Sequence, residues 1–188
     1  MITFQEWIPG WQDQKPHKRT GHFLSNLIIE RKFSTIAELG IMKGNCSRMV
    51  LEGRANIYVR DYIAVDSWYT KDHRYRKLLG MYAYQKQLRV VRLDTVDAAN
   101  LFWDGYFDCV FVDADHTYDG VIADLKAWLP KVRKGGIICG HDYAEVLPRI
   151  GEPNHNPAWA VNDAVDDFFG KGAVTLWDNY WCWGKEIE

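Results

Sequence analysis

The sequence predicts a doubly wound α/β fold: a seven-stranded, mostly parallel sheet with helices on both faces and a C-terminal antiparallel hairpin. Two observations carry this. Apolar runs of strand length alternate with helix-patterned segments through five units. The chain then closes on two short apolar runs, Ala173–Trp177 and Trp181–Gly184, around Asp178-Asn179-Tyr180, the pattern of a hairpin. The 188 residues suit one domain, read as an N-terminal arm and helix over 1–33 and an α/β core over 34–188.

The elements follow in order. Met1–Arg19 reads as an irregular arm, broken by Pro9, Gly10 and Pro16. Thr20 is placed to cap a helix over Gly21–Lys32, with Phe23, Leu24, Leu27 and Ile28 on one face. Thr35–Leu39 is the first strand, the turn Gly40–Gly44 follows, and Cys46–Glu52 starts a helix. The second strand lies in Ile57–Val65, most firmly over Tyr62–Val65, and the third is Leu88–Leu93. Helices are expected over Asp72–Gln87 and Val96–Trp103. Phe107–Val112 is apolar enough for a strand buried on both faces. A helix over Thr117–Val132, a strand over Gly136–Gly140, a loop over Tyr143–Pro157 and a helix over Trp159–Phe169 complete the core.

Composition narrows the function. A net charge of −2 gives no basic footprint for nucleic acid. Four scattered cysteines form neither a disulfide framework nor a CxxC pair. No leader and no membrane-length apolar run is read, so a cytoplasmic protein without a membrane partner is expected. A homo-oligomer stays open.

Charge arrives abruptly where strands end. Phe107–Val112 runs into Asp113, Asp115 and His116, and Gly136–Gly140 runs into His141 and Asp142. Open α/β sheets bind ligands beyond the carboxyl ends of their strands, so these groups should meet at one site. The first strand ends at Glu38, followed by Gly40 and Gly44. This is not the dinucleotide fingerprint, because Met42 stands where the second glycine is needed. A carboxylate there repels pyrophosphate and suits a cationic ligand. Asp66, with Ser67, ends the second strand and can accept two ribose hydroxyls. Asp94, with Thr95, ends the third, where an acceptor can take an amine proton of an adenine or simply cap a helix.

These acidic strand ends and the glycine turn resemble the class I S-adenosylmethionine-dependent methyltransferases, over roughly Ser34–Lys185. The resemblance implies a Rossmann-like core and S-adenosyl-L-methionine as cofactor. It implies that Glu38, Gly40, Gly44, Cys46 and Ser47 line the methionine part. Asp66 and Ser67 would serve the ribose, Asp94 and Thr95 the adenine, and Asp113 the cofactor and a cation. Phe111-Val112-Asp113-Ala114-Asp115-His116 is similar to a stretch of the metal-dependent catechol and caffeoyl-CoA O-methyltransferases. The longer string through Trp128-Leu129-Pro130 and Gly135–Tyr143 is closer to the bacterial macrocin-type and cephalosporin hydroxylase-like branch. That implies O-methylation of a hydroxylated small molecule, such as a sugar or small natural product, with Mg²⁺ or Mn²⁺.

In those relatives the positions of Asp113 and Asp142 bind the cation, and an Asn follows where this chain has Tyr143, a poor magnesium ligand. His141 is the alternative third ligand and tilts the site towards Mn²⁺ or Zn²⁺. His116 stands where a base is proposed. Its pKa should be raised by Asp113 and Asp115 and lowered again by a cation. Trp68, Tyr69, Tyr118, Tyr143 and Trp159 are candidate walls for the acceptor. Competing readings are a metal-independent N- or O-methyltransferase, a nicotinamide-binding oxidoreductase and an inactive binding protein.

Overall fold

The computed structural model describes residues 16–68, 72–82, 85–143, 150–153, 155–177 and 181–188. Expectations for the arm over residues 1–15, for Tyr69, for residues 144–149 and 154 of the 143–157 loop and for the tip of the hairpin lie outside them.

In chain order the elements are α1 (Pro16–Arg31), β1 (Thr35–Leu39), α2 (Asn45–Leu51), β2 (Asp61–Val65), α3 (Asp72–Tyr82), β3 (Leu88–Val91) and α4 (Thr95–Ala99). Then come β4 (Phe107–Val112), α5 (Tyr118–Trp128), β5 (Val132–Gly140), α6 (Val161–Phe169), β6 (Thr175–Trp177) and β7 (Cys182–Glu186). The strands form one sheet in the order β3-β2-β1-β4-β5-β7-β6. β1 to β5 pair in parallel, and β7 runs antiparallel to both β5 and β6. The sequence-predicted class and hairpin are what the sheet displays.

Every residue of β1, β2 and β4 is buried, because helices cover both faces. On one face Phe23, Leu24 and Ile28 of α1 and Val50 of α2 pack on Ile36, Tyr62 and Phe111. On the other, Ala98, Leu125, Trp128 and Val165 of α4, α5 and α6 pack on Ala37, Ile63, Val110 and Ile138. Burying a side chain of this size stabilises by roughly 1.5–3 kcal/mol. Trp128 also donates its indole N–H to the Thr95 carbonyl at 2.9 Å, which ties α5 to the tip of β3.

Several boundaries depart from the sequence reading. α3, α4 and α5 stop at Tyr82, Ala99 and Trp128, short of the expected Gln87, Trp103 and Val132. α1 begins at Pro16, so Thr20 lies inside the helix and is no cap. β5 begins at Val132, four residues early, because Val132 pairs with Phe107 before the register shifts over Gly135 and Gly136. α6 starts two residues after Trp159, which stays in the preceding loop.

The close approach of the loops beyond β1 and β4 rests on Gly40. Its φ is +85°, and a Cβ there would lie 2.1 Å from the Asp113 carbonyl oxygen. The strand tips are laced in consequence. The Gly40 N–H donates to the Val65 carbonyl at 2.8 Å, and the Asp113 N–H to the Leu39 carbonyl at 3.0 Å.

Candidate active site

A cavity of about 500 Å³ opens at the carboxyl ends of the parallel strands, at the switch point between β1 and β4. Glu38, Gly40, Cys46, Asp66, Ser67, Asp94, Thr95, Asp113, His116 and Asp142 line it, all of them expected from the sequence. Gly44 and Ser47 do not. Gly44, at φ +72°, serves the backbone where α2 begins, and Ser47 is wholly buried beneath that helix. Thr20, Ile41, Met42, Lys43, Asn45 and Ala114 complete the wall, with Trp68, Asp115 and Trp159. Nothing in the sequence pointed to Thr20 as a wall residue. Met42 carried a signal, as the residue occupying a glycine's place.

Glu38 is 1% exposed and accepts a 2.6 Å hydrogen bond from the Tyr62 hydroxyl. Burial, helped by the negative charges of Asp113 and Asp66, pushes its carboxyl up to about 8, against the hydrogen bonds of Tyr62 and Cys46. Asp66 binds loops as well as facing the cavity. Its Oδ2 accepts the Met42 N–H and its Oδ1 the Trp68 N–H, each at 2.8 Å. Each oxygen keeps a lone pair for a ligand. Asp94 caps α4 by accepting from the Val96 N–H at 3.0 Å. The Thr95 hydroxyl is spent inward, donating to the buried Asp124 at 2.5 Å.

β4 and β5 are neighbours, and their tips bring the second cluster together. His116 Nε2 lies 2.8 Å from Asp142 Oδ2 and 3.4 Å from Asp113 Oδ1. Asp115, expected beside the imidazole, instead accepts the Thr117 N–H at 2.9 Å, in the turn that starts α5. Burial works to lower the His116 pKa, but the Asp113 and Asp142 carboxylates outweigh it and raise it to about 10. Burial likewise works to raise Asp142, yet His116 and His141 hold it well below the usual carboxylate range. Asp113 is raised by burial, with His116 opposing.

His141 Nδ1 sits 3.1 Å from Asp142 Oδ1, and its ring stacks on Trp181 at 5.9 Å. Asp113, His141 and Asp142 can each turn one ligand atom to within 4.8 Å of the others. Two carboxylates and an imidazole form a donor set that fits a divalent cation of the Mn²⁺ type. Tyr143 is not part of it. The residue is buried, and its hydroxyl donates to Asp166 of α6 at 2.8 Å. It is also no acceptor wall, nor is Tyr118, whose hydroxyl turns outward to Asp167. Trp159 does reach the site: 41% exposed, it packs on the His116 ring at 4.8 Å between centroids. The next residue, Ala160, donates its N–H to the His116 carbonyl at 2.8 Å.

Strain collects at this cavity. Lys32, Met42, Trp68 and Asp142 are the described non-glycine residues with positive φ, and the last three line it. A side chain in that conformation costs roughly 1–2 kcal/mol. The wall carries six carboxyl groups, from Glu38, Asp66, Asp94, Asp113, Asp115 and Asp142, against the ammonium of Lys43 and the imidazole of His116. Such a cavity favours a cationic ligand over a phosphate.

Known proteins share this fold. The S-adenosylhomocysteine-bound methyltransferase PaMTH1 of Podospora anserina superposes with a TM-score of 0.69 at 15% identity, over 98% of this chain and 84% of that one. The O-methyltransferase TomG of Streptomyces achromogenes, in complex with S-adenosylmethionine, gives 0.62 at 16% identity, over 89% and 79%. The Bacillus cereus O-methyltransferase, in complex with S-adenosylhomocysteine, gives 0.60 at 15% identity, over 92% and 81%. Likeness at this identity establishes a shared fold. No curated protein sequence matches the chain. The family described as "Methyltransferase domain" matches residues 37–143, which run from β1 through the cation cluster and make up more than half of the chain. The chain therefore belongs to the methyltransferase domain family, on the class I S-adenosylmethionine-dependent fold.

Proposed function

We propose that the protein transfers a methyl group from S-adenosylmethionine to a hydroxyl of a small molecule, such as a sugar or small natural product, assisted by a divalent cation. One observation carries the reading: the acidic wall and two members of the Asp113–His141–Asp142 cluster, Asp113 and Asp142, open onto the same cavity, together with His116. When bound, the cofactor supplies a methyl on a positively charged sulfur, and the cation supplies Lewis acidity. Asp113 offers negative charge to the cofactor's cationic end, Glu38, protonated in the free site, adds its charge as the arriving cation lowers its pKa, and Asp66 offers its remaining lone pairs to hydroxyls. Asp94 and Thr95 serve the adenine end, Thr95 through its backbone.

Asp113, Asp142 and His141 would hold the cation. His116 would take the proton of the acceptor hydroxyl at Nε2. In the free site that nitrogen is held cationic by two carboxylates. It would become a base once those carboxylates were engaged in holding the cation. Trp159, lying on the imidazole, gives the acceptor a flat apolar surface. The reading retains a dissolved acceptor in the cytoplasm, not nucleic acid or membrane. The acidic cavity supports the first part, and no described helix is long and apolar enough to cross a membrane.

A second reading, metal-independent N- or O-methyl transfer, is favoured by the close His116–Asp142 pair, which occupies a cation ligand. Calorimetry with S-adenosylmethionine, with and without Mn²⁺ or Mg²⁺, on wild type and Asp142→Ala decides between them. We expect cofactor binding in both proteins and a metal effect in wild type alone. Cofactor binding indifferent to metal selects the second reading. No cofactor binding removes both.

A further inference from the structure

Met42 is the residue of this cavity that the roles above leave without work. It occupies the second place of the turn Ile41–Gly44, closed by the Gly44 N–H on the Ile41 carbonyl at 2.8 Å. Its backbone is clamped at both ends. The N–H donates to Asp66 Oδ2 at 2.8 Å, and the carbonyl accepts the Trp68 indole N–H at 3.1 Å. The clamp imposes φ +49°, where glycine fits without strain and a methionine does not. The side chain does not repay that strain by packing in the free protein, since the residue is 52% exposed on the cavity wall. A flexible thioether chain is the kind of side chain that moulds itself to an irregular apolar surface.

We propose that the Met42 side chain folds over the bound sulfur nucleoside beside Asp66, as a flap whose packing partner is the ligand itself. The inference rests on the cofactor reading above. The Met42 N–H is bonded to Asp66, so a nucleoside whose hydroxyls bind that carboxylate lies beside the turn that Met42 crowns, and burying the exposed thioether against it would supply the packing that the free protein lacks.

The two roles of the residue separate by sign. In Met42→Gly the strain goes and the flap goes; in Met42→Ala the flap goes and the strain stays. The experiment is calorimetry with S-adenosylhomocysteine, paired with melting of the ligand-free proteins. We expect affinity to fall about tenfold in both variants, the loss that follows from leaving one such side chain unburied. Met42→Leu, which keeps an apolar side chain of similar reach, should stay within about twofold of wild type. The ligand-free melting temperature of Met42→Gly should equal or exceed that of wild type, by up to about 3 °C. Equal affinities in wild type, Met42→Gly and Met42→Ala would overturn the flap alone. So would a Met42→Gly protein that melts several degrees lower, because the side chain would then be serving the fold. A wild type that fails to bind the nucleoside overturns the cofactor reading and the flap together.

Discussion

At the scale of the residue, Glu38 shows how the site stores free energy. Its carboxyl, raised to about 8, keeps a proton in the folded protein that the unfolded chain gives up near its ordinary value of about 4.3. Stability therefore falls as pH rises between those two values. Glu38→Gln should raise the ligand-free melting temperature at pH 8, with the gain vanishing towards pH 4. The same variant should bind S-adenosylhomocysteine more weakly at both ends, measured by calorimetry. Tyr143 makes the complementary case. Removing its hydroxyl in Tyr143→Phe leaves Asp166 without its 2.8 Å donor and should cost about 1–3 kcal/mol in urea unfolding, while Mn²⁺ affinity stays unchanged. A drop in Mn²⁺ affinity would put the phenol back among the ligands. The partners of His116 were only half legible. Asp113 is three residues away and could be read, but Asp142 is brought in by the pairing of β4 with β5, which no local pattern encodes.

At the scale of the element, strands were more legible than helix ends. β1 and β4 were read to the residue, because each is a short, mostly apolar segment that stops at an abrupt change of character, Gly40 after β1 and Asp113 after β4. α1 was misplaced at its start, because a helix that opens on polar residues shows no periodicity there. The early start of β5 was hidden in Arg133-Lys134-Gly135-Gly136, which reads as a loop. That segment is held by Asp108 at the far end of β4 from the cavity. Asp108 accepts from the Ser34 and Thr35 N–H groups at 2.6 and 2.9 Å and from Arg133 at 2.5 Å. Burial pushes the carboxyl up, but these donors bring it down to about 2. A depressed carboxyl stabilises above its unfolded pKa of about 3.9 and loses that contribution as pH falls towards 2. Asp108→Asn should cost about 1–2 kcal/mol at pH 7, discounted for the half-exposed Arg133, with the difference from wild type shrinking in acid. A deficit that persisted at pH 2 would assign the loss to shape instead of charge.

At the scale of the whole molecule, the acidic switch point follows from the topology. Placing β1 between β2 and β4 gathers carboxyl groups from the tips of the five parallel strands around a single opening. Alternation in the sequence was enough to foresee that sheet, whereas which tips share a wall depended on strand order. The field of six carboxyl groups should steer ligands: at low ionic strength a cationic acceptor should associate faster than an anionic analogue, and added salt should narrow the gap in stopped-flow rates. The close approach at Gly40 has a reach beyond folding. With main chain against main chain there, the loop facing the nucleoside and the loop carrying Asp113 form one stiff seam, and neither can shift without the other. Occupancy on one side then pre-sets the other, a heterotropic cooperativity that is reciprocal by thermodynamic necessity. S-adenosylhomocysteine should sharpen Mn²⁺ binding by the same factor by which Mn²⁺ sharpens S-adenosylhomocysteine binding, and two mirrored titrations would reveal two loops that answer as one.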